Sequence, residues 1–203
     1  MHLASATLGD LLAGIAAKTP APGGGAAACV GGALAASLAS MVVSYSLGRK
    51  NLSEHQPALE RVAAALEAAR AEFLSLAEED AHAYGALNEV MRLPEGDPRR
   101  PRDLAPLTRA AAEAPARCAE ASAALLRLMR ELPGITNRHL RSDLAGAAAL
   151  AEGAARAARW NVVVNAPGLD VVAAGEGARL LESVGRTVAE ARELAAGVER
   201  ACE

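Results

Sequence analysis

The sequence has very few aromatic residues. Phe, Tyr and Trp make up 2% of its 203 residues, although hydrophobic residues make up 52%. The apolar content is therefore mostly Ala, Leu and Val, and Ala and Leu are strong helix formers. The β-branched and aromatic residues that favour strands are scarce. This composition predicts an all-α protein. Its small side chains bury little apolar area per residue, which favours oligomer formation. A chain of this length is most simply one domain, over residues 1–203.

Signals for disulfides, nucleic acid and secretion are also missing. The three cysteines, Cys29, Cys118 and Cys202, show no CxxC spacing, which argues against a disulfide framework and favours a reducing cytoplasm. The net charge is −3 and no basic stripe alternates with aromatics, so we expect no nucleic-acid partner. The N-terminus has no basic region, and Asp10 follows soon after, so we expect no signal peptide.

One long stretch, residues 26–47, contains no charged residue. It is long enough to cross a bilayer, but its many Gly, Ala and Ser residues make it weakly hydrophobic, and no aromatic belt flanks it. We therefore predict a buried central helix and no membrane partner.

Motifs for metal, serine or nucleotide chemistry are absent. The four histidines form no HExxH pair, and no cysteine lies at ligand spacing from them, so we expect no metal site. The chain also lacks a GxSxG elbow and a Walker motif. Carboxylates, amides and backbone N–H groups are left as candidate chemical groups. The histidines are His2, His55, His82 and His139.

Helical periodicity and turn signals predict six helices, arranged as an up-and-down antiparallel bundle. Pro115 is expected to kink the fourth helix, and Asn165-Ala166-Pro167-Gly168 is expected to end the fifth. The predicted ranges are 7–18, 25–48, 54–91, 104–131, 137–164 and 176–202.

A rigid turn precedes the second helix. Pro20 and Pro22 exclude a helix there, and Gly23, Gly24 and Gly25 free the backbone at a helix N-terminus. Exposed N–H groups at such a place can hold an anion or a polar ligand. The alternative is a plain connector that leads into a buried helix.

Asp80 is the first candidate for acid–base chemistry. It lies on the third helix and shares a face with Tyr84, near Leu76 and Leu87, whereas Glu78 and Glu79 are expected to face solvent. A partly buried carboxylate has a raised pKa and can transfer protons near pH 7. The alternative is a solvated run of charges.

Three further positions carry polar groups beside apolar stretches. Asp143 opens an uncharged part of the fifth helix, either as a charge favoured by the helix dipole or as a functional carboxylate. Asn161 shares a face with Asn165, and this amide pair needs partners unless Asn165 is a C-cap. Arg49 and Lys50 follow the second helix, either to match its dipole or to bind a carboxylate.

Taken together, these segments resemble the cyclodeaminase/cyclohydrolase domain of the formiminotransferase-cyclodeaminase family. The resemblance covers nearly the whole chain and rests on the order and spacing of five pieces. Those pieces are Pro20-Ala21-Pro22-Gly23-Gly24-Gly25, Leu47-Gly48-Arg49-Lys50, Glu79-Asp80-Ala81-His82-Ala83-Tyr84, Ser142-Asp143 and Asn161-Val162-Val163-Val164-Asn165.

The resemblance implies an all-α homodimer that acts on tetrahydrofolate derivatives without a metal or redox cofactor. One activity of the family closes 5-formiminotetrahydrofolate to 5,10-methenyltetrahydrofolate and releases ammonia. The other hydrolyses the methenyl form to 10-formyltetrahydrofolate. We expect the first activity, the cyclodeaminase reaction. The alternatives are the second activity, a non-catalytic folate-binding dimer and a purely structural dimer. A formiminotransferase partner is a further possibility.

The resemblance also implies roles for individual residues. Asp80 or Asp143 would be the proton donor. The substrate would be bound by Gly23, Gly24, Gly25, Tyr84 and Asn161, and its glutamate carboxylates by Arg49 and Lys50.

The chain departs from the family pattern at three places, which affects fine substrate contacts rather than the carboxylates. Ala26 replaces a serine, Val163 replaces a basic residue, and Asn51-Leu52 replaces part of a lysine-rich run that ends in an aromatic residue.

Overall fold

Six α-helices and no strand make up the regular structure of residues 3–203, the part of the chain that the computed structural model describes. The predicted all-α class is confirmed. His2 lies outside the described residues. The helices are α1 (Leu8–Ala16), α2 (Gly24–Ser44), α3 (Gln56–Met91), α4 (Arg99–Met129), α5 (Arg141–Val172) and α6 (Glu176–Cys202); short 3₁₀ turns cover Leu3–Ser5, Lys50–His55 and Arg138–Leu140.

Helix α2 lies between α3 and α5 and runs antiparallel to both. Against α5, Gly24 contacts Asn161, while Gly31 lies near Ala154. Small side chains allow these close approaches. Helices α4 and α6 complete the bundle, and one continuous apolar core joins α2 to α6.

Close packing between α2 and α3 depends on glycine. A Cβ at Gly32 would lie 2.3 Å from the ring of Phe73, and a Cβ at Gly25 would lie 2.1 Å from Asp80. Both distances are far below van der Waals contact. Because glycine has no side chain, α3 can set one large ring and one carboxylate directly against the backbone of α2.

Helix α2 is not buried on all sides, contrary to the prediction. It is long and apolar enough to cross a membrane, but 56% of its most apolar window is buried within this protein. Its remaining face is open, and Leu34 there is 57% exposed. The sequence pattern could not separate these cases, because small and apolar residues occur all round the helix.

Helix α4 begins five residues earlier than predicted, at Arg99 rather than Leu104. The Arg99 backbone N–H donates to Asp97 Oδ1 at 2.9 Å, so Asp97 caps the new start. Pro101 lies in the first turn, where a missing N–H costs no helical hydrogen bond. The proline-rich break is therefore shorter than the sequence indicates.

The predicted stop at Asn165-Ala166-Pro167-Gly168 is wrong, because α5 continues to Val172. Ala166 and Leu169 are buried in the bundle, and this packing overrides the local signal of Pro167. The extra turns also bring Asp170 to α6, where its Oδ1 accepts the Gly177 N–H at 2.8 Å. Continued α5 thus supplies the cap of the next helix.

Asn165 compensates for a proline in the neighbouring helix. Pro115 has no N–H, so the carbonyl of Ala111, four residues earlier, loses its helical donor. Asn165 Nδ2 donates to that carbonyl at 2.7 Å. The alternative that Asn165 is a helix C-cap is therefore wrong, and its amide stabilises α4 instead.

Candidate active site

A cavity of about 270 Å³ lies where the first turn of α2 meets α3 and α5. We call it the site cavity. It brings together the glycine turn, the Asp80 cluster and the paired asparagines, three features that the sequence separates widely. Its lining residues are Pro20, Ala21, Gly23, Gly24, Gly25, Asp80, Tyr84, Asn161, Val164 and Asn165.

Asp80 is buried and caps the start of α2 from the neighbouring helix. Asp80 is 7% exposed, and its carboxylate accepts a hydrogen bond from the Ala26 backbone N–H. Gly23, the N-cap residue, has no side chain to do this. The first N–H groups of a helix lack partners inside it. The carboxylate of α3 therefore takes the place of a local cap.

Burial raises the pKa of Asp80 from 3.8 to about 6, although the Ala26 hydrogen bond acts in the opposite direction. A carboxyl group with this pKa exchanges protons readily near neutral pH. The prediction that Asp80 faces the interior is confirmed. Glu79 is exposed, as predicted, and forms an ion pair of 2.6 Å with Arg117, whereas Glu78 is half-buried.

The glycines of the turn are needed for close approach. A Cβ at Gly25 would lie 2.1 Å from Asp80 Oδ1, and a Cβ at Gly24 would lie 3.1 Å from Asn161 Oδ1. No side chain larger than hydrogen fits at Gly25 while Asp80 keeps its position. The turn is thus more than a connector, because it lets two polar side chains lie against the backbone.

Asn161 and Tyr84 complete the polar lining. Asn161 Nδ2 donates to the Ala157 carbonyl at 3.0 Å, and this bond turns Oδ1 toward Gly24. Tyr84 lies one helical turn after Asp80 and is 37% exposed at the cavity mouth. The cavity therefore offers a carboxyl group, a carboxamide and a phenol to a polar molecule.

Asp143 does not line the site cavity. It is half-buried in the first turn of α5, well before Asn161 on that helix and about 27 Å from it by the helical rise. Within one chain, the predicted pairing of Asp80 with Asp143 does not occur. The cause is the alternating direction of the helices, which places the start of α5 at the far end of the bundle.

Arg49 and Lys50 lie at that same far end. They follow α2, whose first and last residues are about 30 Å apart. Arg49 lines a different cavity, together with Arg138 and Arg141. The predicted binding roles of Arg49 and Lys50 therefore require a second chain.

Three contributors to the site were not assigned to it from the sequence. Val164 and Asn165 form part of the wall, and the Ala26 N–H binds Asp80. The spacing from Asn161 contains a signal for the first two, because positions three and four residues later share its helix face. The sequence has no signal for the Ala26 contact, because that contact depends on how α3 docks.

The sequence is similar to proteins of one known family. A family model described as formiminotransferase-cyclodeaminase matches residues 7–176. The chain is 34% identical over 155 residues to mouse formimidoyltransferase-cyclodeaminase, covering 74% of this chain but only 29% of the mouse protein. It is 32% identical over 168 residues to methenyltetrahydrofolate cyclohydrolase of Methylorubrum extorquens, covering 81% of each.

The fold also matches a crystal structure. Formiminotetrahydrofolate cyclodeaminase from Thermotoga maritima superposes with a TM-score of 0.86 at 26% identity, covering 98% of this chain and 96% of that one. The match therefore includes α6, which lies almost wholly beyond the family model. With the sequence, the fold and the site-forming motifs in agreement, the chain belongs to the formiminotransferase-cyclodeaminase family.

Proposed function

We propose that this protein is a formiminotetrahydrofolate cyclodeaminase in which Asp80 is the general acid. The observation that carries the proposal is a buried carboxyl group with a pKa of about 6 in the wall of a cavity that also presents a carboxamide. The similarity to the Thermotoga maritima cyclodeaminase over nearly both chains supports the same reaction.

The reaction replaces one nitrogen on the one-carbon unit by another, while the carbon stays bonded to folate N5. Folate N10 attacks the formimino carbon, which forms the new C–N bond. The formimino group reacts in its protonated form, so its nitrogen already carries two hydrogens. The bond from the carbon to this nitrogen then breaks, and protonated Asp80 gives the third proton to the nitrogen, which leaves as ammonia. The N10 proton passes to solvent or back to the carboxylate. A pKa near the working pH suits this exchange.

The other lining groups have positioning roles in this proposal. Asn161 Oδ1 faces Gly24 and accepts N–H groups of the pterin or of the formimino group. Gly23 to Gly25 let the ligand approach the backbone, and Tyr84 closes the mouth. Asp143 remains the alternative donor, and it would have to come from a second chain.

The test is an assay with both family substrates. We expect the purified protein to convert 5-formiminotetrahydrofolate to 5,10-methenyltetrahydrofolate, followed by the absorbance of the methenyl product and by ammonia release. Tight folate binding without turnover would support a non-catalytic folate-binding protein instead. Absence of both binding and turnover would contradict the proposal altogether.

Hydrolysis of 5,10-methenyltetrahydrofolate is the second candidate function. The Methylorubrum extorquens relative, which is named a cyclohydrolase, is matched over 81% of both chains. At neutral pH much of Asp80 is ionised, because its pKa is about 6, and a carboxylate can activate water as a general base. Decay of the methenyl absorbance on adding enzyme, without ammonia, would select this reaction.

A separate formiminotransferase is the partner that the proposal implies. The chain spans less than a third of the mouse protein, whose name joins both activities. An enzyme that makes the formimino substrate would therefore have to act before this one.

We also infer a homodimer that buries one exposed apolar surface, which we call the apolar face. Helices α2 and α5 lie side by side, and exposed apolar side chains follow the same side of both. Trp160, the chain's single tryptophan, is 64% exposed there. Such a surface marks an interaction site. The face consists of the exposed Leu34, Tyr45, Leu150, Trp160 and Val164, together with the half-buried Val30 and Met41 of α2.

The apolar face adjoins the site cavity, because Val164 belongs to both. A second chain docked antiparallel on this face would bring its basic end, with Arg49 and Arg138, toward the cavity.

Leu34→Glu is expected to convert the dimer to a monomer. The change places a charge at the middle of the apolar face, where burial against a partner is costly. Sedimentation equilibrium at micromolar concentration measures the mass, with Trp160→Glu as a second disrupting variant. Ala189→Glu, at an exposed position of α6, is the matched control and should remain dimeric. A monomeric wild-type protein, or a dimeric Leu34→Glu variant, would contradict this interface.

A further inference from the structure

A second cavity, of about 370 Å³, continues from the site cavity between α3, α4 and α5. We call it the side groove. Tyr84, Val164 and Asn165 line both cavities, so a single ligand can occupy them together. Beyond Tyr84 the walls become apolar, with Leu87 and Leu104 on facing helices.

Arg100 lies at the end of the side groove and is its single basic lining residue among those the structure describes. Its Nη1 donates to the Leu93 carbonyl at 3.0 Å, which holds the half-buried guanidinium in place. None of the lining residues is acidic.

The arginines next to Arg100 differ from it in that each forms an ion pair with a carboxylate. Arg99 forms an ion pair with Asp97 at 2.8 Å, and Arg102 forms one with Asp103 at 2.6 Å. In the described part of the chain, no carboxylate forms an ion pair with Arg100. Its other nitrogens are therefore available to an anion, and a guanidinium binds a carboxylate through two parallel hydrogen bonds.

The groups follow one another in the order of the parts of a folate. Asp80 and Asn161 provide a polar end, the leucines provide an apolar middle, and Arg100 provides a cation. On α3, the distance from Asp80 to Met91, which also lines the groove, is about 16 Å. A reduced folate carries its reactive carbon at the pterin, then a benzene ring, then a glutamate with two carboxylates.

We propose that Arg100 binds a glutamate carboxylate of the substrate while the aminobenzoyl ring lies in the side groove. The proposal rests on the proposed function for its substrate, and it gives Arg100 the role that the sequence suggested for Arg49 and Lys50. Those two residues lie at the other end of the same chain. Arg100 sets specificity and takes no part in the chemical step.

The experiment compares ligands with and without glutamate. Equilibrium binding of tetrahydrofolate and of tetrahydropteroate, which lacks the glutamate, is measured for the wild-type protein and Arg100→Ala. We expect Arg100→Ala to weaken tetrahydrofolate binding about 10- to 100-fold, because the carboxylate loses its charged hydrogen-bonding partner. Binding of tetrahydropteroate should change less than about twofold, and Arg100→Lys should recover part of the loss because it keeps the charge.

Kinetics with the corresponding formimino substrates supply a second readout. Arg100→Ala should raise KM for the glutamate-containing substrate and leave kcat nearly unchanged. Arg99→Ala and Arg102→Ala, which alter paired arginines in the same turn of α4, are the matched controls and should match the wild type.

Several outcomes would overturn the proposal. They are equal losses for both ligands, no loss for either, or a glutamate-dependent loss in Arg49→Ala or Lys50→Ala instead. Absence of binding by the wild-type protein would also overturn it. Glutamate-dependent binding through Arg100 in a protein without turnover would refute the proposed function and leave this inference standing.

Discussion

Replacement of Asp80 by asparagine is expected to abolish most turnover and, at the same time, to stabilise the fold at neutral pH. The carboxamide has nearly the same shape and keeps an oxygen for the Ala26 N–H, but it cannot donate a proton as an acid. Loss of a general acid typically costs about 100- to 10,000-fold in rate. The methenyl absorbance assay measures this loss.

The stability gain follows from the raised pKa. Asp80 has a pKa of about 6 in the folded protein against 3.8 as its ordinary value, so the folded state binds the proton more tightly than the unfolded state. This contribution to stability is fully present below pH 3.8 and is lost as the pH rises to about 6. Above that pH, ionised Asp80 costs about 3 kcal/mol, at 1.36 kcal/mol per pKa unit.

Urea unfolding of the wild type and Asp80→Asn between pH 4 and pH 8 tests the sign. We expect equal free energies of unfolding near pH 4 and an advantage for Asp80→Asn of about 1 to 3 kcal/mol above pH 6. Asp143→Asn is the matched control, since Asp143 is half-buried and lies outside the site cavity. Full activity of Asp80→Asn, or a comparable rate loss in Asp143→Asn alone, would contradict the assignment of the acid.

The second large effect is expected from Gly25→Ala. The new Cβ would lie 2.1 Å from Asp80 Oδ1 and 2.4 Å from its Cγ, so either the carboxylate or the start of α2 must move. Overpacking of this kind costs about 1 to 3 kcal/mol. Because the displaced group is the proposed acid, we also expect turnover to fall at least about 100-fold. Thermal or urea unfolding and the same absorbance assay measure both effects.

Gly31→Ala, in the same helix, separates this clash from ordinary helix propensity. Its Cβ would meet only the Ala154 Cβ at 3.9 Å, so we expect a stability equal to or slightly above the wild type. The double variant Gly25→Ala with Asp80→Ala should be more stable than the two single effects predict together, since the second change removes the group that clashes. Wild-type behaviour of Gly25→Ala would show that the close approach is not required.

The sequence predicted the helices and the position of Asp80 better than it predicted which residues meet. Helical period and composition are local, and they correctly indicated six helices and an inward-facing Asp80. The family resemblance places Asp143 and Arg49 in one site with Asp80. Counting helix directions shows that both lie at the opposite end of a bundle, because successive helices run in opposite directions.

The error at the end of α5 has a tertiary cause, and the error at the start of α4 has a local one. Asn165 and Pro167 form a good local stop signal, but Asn165 is used to bind the Ala111 carbonyl that Pro115 leaves free, and Ala166 packs into the core. The early start of α4 depends on Asp97 as its cap. It also matters for the site, because it places Arg100 in a helical turn beside the side groove. The contact of Asn165 with Ala111 joins residues far apart in sequence, so a local pattern cannot contain it, whereas the contact of Asp97 with Arg99 is local.

The two glycine contacts between α2 and α3 determine where along these helices the Asp80 carboxyl group lies. Gly25 faces Asp80 and Gly32 faces Phe73. On each helix the two contact positions are two turns apart, which is about 10 Å along the axis. Sliding by one turn would set the Phe73 ring and the carboxylate against Ala36 and Cys29, which have side chains. The pair therefore acts as a register lock, in which a ring buried in the core determines where the carboxyl group meets the cavity.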